Sequence, residues 1–193
     1  RFAMRLSSVG FSNDMQAVVY DRQGANYCGR LWWMLKWAGH DAVAVLDGGL
    51  QAWQAAGGAV ASGDEPAHFQ SHFTLHTPLR RLVTASEVLQ NLQQPTQTVV
   101  DARATPRYRG ETEPLDPVAG HIPGALNRPF GLNLGSDGRF KPAALLRAEF
   151  DELLAGRNPD TVVHQCGSGV SAIPNLLAME VAGLGKTSLF AGS

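Results

Sequence analysis

Cysteine is scarce in this chain, with two in 193 residues, Cys28 and Cys166. They allow a single disulfide at most, too few for a disulfide-framed secreted scaffold, so two free thiols are expected. An excess of one charge sign is missing as well. Sixteen Lys and Arg face 17 Asp and Glu for a net charge of -1, and no basic run appears. That balance excludes the electrostatic footprint of a nucleic-acid or anionic-lipid binder. No apolar run approaches the roughly 18 to 20 residues of a membrane span, and the opening RFAMRLSSVG lacks the apolar core of a secretory signal. The expected setting is cytoplasmic, and the expected partner is a small molecule or another protein, with no nucleic acid and no membrane. What is present, 44% hydrophobic and 17% charged residues, suits one large soluble domain or two small ones.

Apolar β-branched runs alternate with helical periodicity, the pattern of a parallel sheet with helices packed on it, so the fold class is α/β. Residues 17–20, 42–46, 97–100, 161–164 and 187–190 read as short buried strands. Helices are expected over 25–38, 49–56, 84–92, 142–154 and 171–182, with Gly39, Gly57, Gly156 and Gly183 as stops just past four of them. Thr84 and Glu87 have the spacing of a capping box. Between Gly57 and Leu82 the pattern dissolves into Gly, Ser, Pro, His and isolated Phe, which reads as a linker laid over a surface.

The two ends of the chain repeat one another. VVYDRQGANYCGRLWWMLKWAGHDAVAVLDGG aligns without a gap on VVHQCGSGVSAIPNLLAMEVAGLGKTSLFAGS, so that Gly39 meets Gly183 and Gly48 meets Gly192 at a constant offset of 144 residues. Such an alignment indicates a tandem duplication. Cys166 falls opposite Arg22, so only the second copy carries a nucleophile at that place.

The loop CGSGVSA places Cys166 at the end of a strand and ahead of a helix. Backbone N–H groups and the positive end of a helix dipole would then converge on the sulfur, a setting that favours the thiolate, the nucleophilic form of cysteine. Gly167 and Gly169 are expected to allow positive backbone angles and a close approach that a side chain would block. A glycine-rich loop after a strand can also cradle phosphate, but the Gly-Lys-Ser/Thr ending of a P-loop is absent. A cysteine phosphatase would need an arginine where Ala172 stands.

With VVDARATPRYRG (99–110), GHIPGALNRPF (120–130) and LDGGLQAW (46–53), the loop resembles the tandem-domain rhodanese family of thiosulfate and 3-mercaptopyruvate sulfurtransferases. The resemblance implies two rhodanese-like α/β domains, each a mainly parallel sheet flanked by helices. The N-terminal one, residues 1–62, would be non-catalytic and incomplete. Residues 63–80 would link it to a catalytic domain, 81–193, short of its last residues. It implies that Cys166 carries a sulfane sulfur as a persulfide, taken from 3-mercaptopyruvate and passed to a thiol or cyanide. The alternatives are thiosulfate:cyanide sulfurtransfer or a non-catalytic rhodanese-like fragment. Arg107 would bind the donor anion, and Gly167, Ser168, Gly169, Val170 and Ser171 would hold the sulfur. No metal or other cofactor is implied, and a thiol reductant protein such as thioredoxin is a candidate acceptor. The segment ETEPLDPVA departs from the mercaptopyruvate branch, which carries a second arginine there.

Other residues have plainer readings. Cys28, His121 and His164 are expected in structural roles, and Asp101 and Arg103 as a pair or as caps of a neighbouring loop. Trp32, Trp33 and Trp37 are expected to pack core and interface. The four-residue spacing of His68, His72 and His76 suggests metal ligation, but the flanking Pro66 and Pro78 favour a linker.

Overall fold

The computed structural model describes residues 1–64, 66 and 69–192. The first part of the chain runs α1 (Phe2–Ser8), β1 (Ala17–Val19), α2 (Cys28–Trp37), β2 (Val43–Val45) and α3 (Gly49–Ala55). The second begins β3 (Leu82–Val83), α4 (Ala85–Gln90), β4 (Thr98–Asp101), α5 (Thr105–Tyr108) and β5 (Leu126–Asn127). It continues α6 (Ala143–Leu154), β6 (Val162–Gln165), α7 (Ile173–Val181) and β7 (Ser188–Phe190).

All five strands of the larger sheet are parallel, in the order β3-β7-β6-β4-β5, which puts β6 in the middle. Every residue of β4 (TVVD) and β6 (VVHQ) is buried, so neither strand alternates between core and solvent. One face packs Val100 and Val162 against Leu146, Phe150 and Met179, and the other packs Val99 and Val163 against Val88. β1 and β2 form a separate parallel pair. A third cluster joins the two parts, bringing Trp32, Trp33 and Leu35 of α2 together with Ile173 and Leu176 of α7.

The duplication is visible in the coordinates. Strand, loop, helix and strand recur as β1-α2-β2 and β6-α7-β7, and Ala25, with φ of 63°, stands at the position equivalent to Gly169, with φ of 66°. The capping box is present, with the Thr84 hydroxyl accepting from the Glu87 N–H and the Glu87 carboxylate from the Thr84 N–H. Gly39, Gly57, Gly156 and Gly183 all have positive φ just beyond their helices.

Three differences from the sequence reading have physical causes. Helix α7 starts at Ile173, not 171, because Pro174 has no N–H and is accommodated only in a first turn. Strands β3 and β5 are two residues each, too short to leave a period. Trp37 is 38% exposed and stacks on buried Trp33 with ring centroids 6.1 Å apart. Residues 69–81 form no helix or strand, yet they are tied down: Phe73 is buried, and the N–H groups of His76 and Leu79 bond the carbonyls of Ala38 and Lys36. His68 lies outside the described residues, among which no group of three ligands suits a metal. No helix among them is long and apolar enough to cross a membrane.

Candidate active site

Cys166 follows the last residue of β6, at the carboxyl end of the central strand, where open parallel sheets place their ligand crevices. It lies at the floor of a pocket of about 360 Å³ that Gly167, Gln165, Arg103, Asp116 and His121 also line. The thiol is 2% exposed and belongs to the cluster with Ala172, Ile173, Leu176 and Leu189. The Gly-Ser-Gly run beside it in sequence offers no apolar side chain, yet the thiol is enclosed by apolar residues. Its sequence neighbours are small, and the shell comes instead from α7 and β7.

The loop beyond it is a tight turn. The Ser168 N–H points at Cys166 Sγ from 3.5 Å. Gly169 has φ of 66°, and a Cβ there would stand 2.7 Å from Ala191 Cα, so this position requires glycine. Gly167, contrary to the sequence reading, has no positive φ, and Arg107 Nη1 lies 3.4 Å from where a Cβ would be, an ordinary contact distance, so neither backbone nor space requires glycine there. Ser168 is exposed and Val170 and Ser171 are half-buried, and none of the three is among the residues lining the pocket.

Arg107 comes from α5, which follows β4, and its guanidinium is held by acids. It donates to both oxygens of Glu113, through Nη2 at 2.7 Å and Nε at 3.2 Å, and through Nη2 to Asp116 at 3.1 Å. The bonds from Arg107, with the N–H groups of Asp116 and Leu115, lower the Glu113 carboxyl to about 2. Arg103 forks onto buried Asp101, with Nη2 2.8 Å from Oδ2, and also donates to the Gly120 carbonyl. The pairing read from the sequence is therefore present, but Arg103 also lines the pocket. Glu113 and Asp116 leave no mark in the sequence, because the acids of ETEPLD carry no motif of their own.

The histidines act as supports. His121 stacks on Tyr108 with centroids 3.8 Å apart and its Nδ1 lies 2.7 Å from the Tyr108 carbonyl, which fixes the ring at the pocket edge. His164 is fully buried with Nε2 3.2 Å from Met179 Sδ, and burial, with the nearby Arg128 charge, pushes it down to about 3. It is neutral at any physiological pH. Cys28, the other thiol, is pushed up to about 12 by burial and by the neighbouring Asp21 charge.

A family model for the rhodanese-like domain matches residues 3–56 and 84–193. The chain belongs to the rhodanese family. Relatives of this rhodanese include a probable 3-mercaptopyruvate sulfurtransferase of Pseudomonas aeruginosa, 46% identical over 99% of the chain and 67% of that protein. Another is a thiosulfate sulfurtransferase of Bos taurus, 37% identical over the whole chain and 66% of the relative. The rhodanese thus spans about two thirds of the length of these relatives. The crystal structure of SseA from Escherichia coli, described as a 3-mercaptopyruvate sulfotransferase, superposes with a TM-score of 0.84 at 30% identity, covering all of this chain and 71% of SseA.

Proposed function

We propose that this rhodanese transfers sulfur through a persulfide on Cys166. The observation that carries the reading is the placement of that thiol: in a pocket at the end of the central strand that Arg103 also lines, beside the Ser168 N–H, with the Arg107 guanidinium against the next residue, Gly167. Cys28, protonated and buried against Asp21, is unsuited to the task. The Cys166 thiolate attacks the terminal sulfur of the donor. With 3-mercaptopyruvate the carbon–sulfur bond breaks and its electron pair leaves as the enolate of pyruvate, which takes a proton from water. With thiosulfate the sulfur–sulfur bond breaks and sulfite leaves. In the second half-reaction a thiol or cyanide attacks the outer sulfur, and the Cys166 thiolate departs as the leaving group.

Arg107 binds the donor anion, and Gly167, Ser168, Gly169, Val170 and Ser171 shape the turn around the transferred sulfur. The preferred donor in this proposal is 3-mercaptopyruvate, because the loop offers no positive charge to a compact dianion. A cytoplasmic setting and a thioredoxin-like dithiol acceptor belong to the same proposal. So does the division into 1–62, a 63–80 linker and 81–193, which is supported by the break between the two family matches and by the two-stranded and five-stranded sheets.

Mass spectrometry after exposure to a sulfane donor tests the reading. Wild type and Cys28→Ser should each gain one sulfur atom per chain, mapped to Cys166, while Cys166→Ser should gain none. Sulfur found on Cys28, or none on wild type, refutes it.

A further inference from the structure

Residues 111–119 form a loop without helix or strand, and its second half, Asp116 to Ala119, lines the Cys166 pocket. The base of this loop is pinched shut: a Cβ on Gly110 would lie 3.2 Å from the Gly120 nitrogen, and both glycines have positive φ. Two of its three carboxylates, Glu113 and Asp116, fold back onto Arg103 and Arg107, while Glu111 lies nearest Arg109. The cluster holds Arg103 and Arg107 against Asp101, Glu113 and Asp116, two positive charges for three negative ones. In this state Arg107 is already neutralised, and an anionic donor must exchange with one of the acids.

The two acids are held very differently. The Glu113 side chain is 5% exposed, contacts both arginines and accepts the N–H groups of Leu115 and Asp116 at 3.0 Å each. The Asp116 side chain is 33% exposed, lines the pocket beside Cys166 and has one ion-pair contact, at 3.1 Å. Displacing Glu113 would strip a buried carboxylate of several partners, whereas displacing Asp116 turns a half-buried one, with a single ion-pair contact, into water.

We propose that Asp116 is a specificity-determining residue, an internal carboxylate that occupies Arg107 until the donor's own anion displaces it. The inference rests on the reading of Arg107 given above. A monocarboxylate replaces the departing charge one for one. A dianion brings surplus negative charge beside Glu113 and Asp101, so the device favours thiol-bearing monocarboxylates over thiosulfate.

Steady-state kinetics with 3-mercaptopyruvate and thiosulfate, at low and moderate salt, test it on the full chain. Asp116→Asn should lower KM by up to about fivefold, the scale of one partly exposed ion pair, with the larger drop for thiosulfate. It should also steepen the loss of donor affinity with salt, because binding now joins an anion to an unoccupied cation instead of exchanging anions. Asp116→Glu should restore wild-type KM. Arg107→Ala separates the two layers. If it raises KM for both donors while Asp116→Asn leaves KM and salt dependence unchanged, the Asp116 role is overturned alone. If Arg107→Ala has no effect on either donor, the anion-binding reading of Arg107 falls with it.

Discussion

Arg30 of α2 donates from Nη1 to the carbonyl of Gly169 at 3.0 Å, across 139 residues of chain and from one copy of the duplication to the other. The same guanidinium lies 5.6 Å from the centre of the Trp33 ring, which limits its orientation. Gly169 is the positive-φ residue of the cysteine loop, so the copy without a nucleophile braces the turn that carries one. Arg30 touches no donor in the proposed reaction; it positions the loop.

Arg30→Ala should therefore lower kcat/KM about tenfold, the effect of losing a charge-assisted hydrogen bond of about 1.5 kcal/mol. The loss should fall on kcat, because Arg107 and the pocket mouth are untouched. Arg30→Lys, which keeps the charge with a shorter reach, should recover part of it. Unchanged kcat in a folded Arg30→Ala protein would show that the loop holds its shape without this brace.

The first copy carries its own anion in the equivalent turn. Asp21 accepts the N–H groups of Gln23 and Ala25 on Oδ1 and those of Tyr27 and Cys28 on Oδ2, at 2.8 to 3.1 Å. Burial works to raise this carboxyl, but the N–H groups of Cys28, Gln23, Tyr27 and Ala25 outweigh it and hold its pKa below the ordinary 3.8. A group whose pKa is depressed by folding stabilises the fold above its unfolded value and loses that contribution as the pH falls through the folded one. Asp21→Asn should cost about 2 kcal/mol at neutral pH and lower Tm by roughly 4 to 8 °C. The gap from wild type should begin to narrow as the pH falls below the ordinary 3.8 and close as it passes through the lower folded value, where the native carboxyl takes up its proton. A gap constant down to pH 2 would mean that the cost is steric, not ionic.

The sequence was most legible where burial and repetition both left a mark. Fully buried β4 and β6 stand out as β-branched runs, and the offset between Gly39 and Gly183 exposes the duplication before any coordinate. The position of Cys166 follows from the same logic, since a cysteine between a strand and a glycine turn has few places to go. The acids were hidden for an equally physical reason. Glu113 and Asp116 reach Arg107 through a loop with no period, and only the pinch at Gly110 and Gly120 folds that loop back. The shell of Cys166 was hidden because it is built by α7 and β7 from residues such as Ile173 and Leu189, which do not flank the thiol in sequence.

Donor preference offers the sharpest test of the loop. Gly167 has an ordinary backbone, and a side chain there would stand 3.4 Å from Arg107 Nη1 and 3.5 Å from Nη2; Ser168 is exposed. Both positions therefore accept larger residues, as Gly169 with its contact to Ala191 does not. Gly167→Arg with Ser168→Lys would set two new cations beside Arg107. Their mutual repulsion is offset more fully by a dianion than by a monoanion, and the transferred sulfur of thiosulfate lies next to its charge whereas that of mercaptopyruvate does not. The ratio of kcat/KM for thiosulfate to that for 3-mercaptopyruvate should rise by about tenfold or more, equivalent to one charge-assisted contact of about 1.5 kcal/mol. The native loop should favour 3-mercaptopyruvate. A wild-type protein that already turns over thiosulfate with the higher kcat/KM would overturn the donor assignment, and an unchanged ratio in the double variant would show that loop charge does not set the preference.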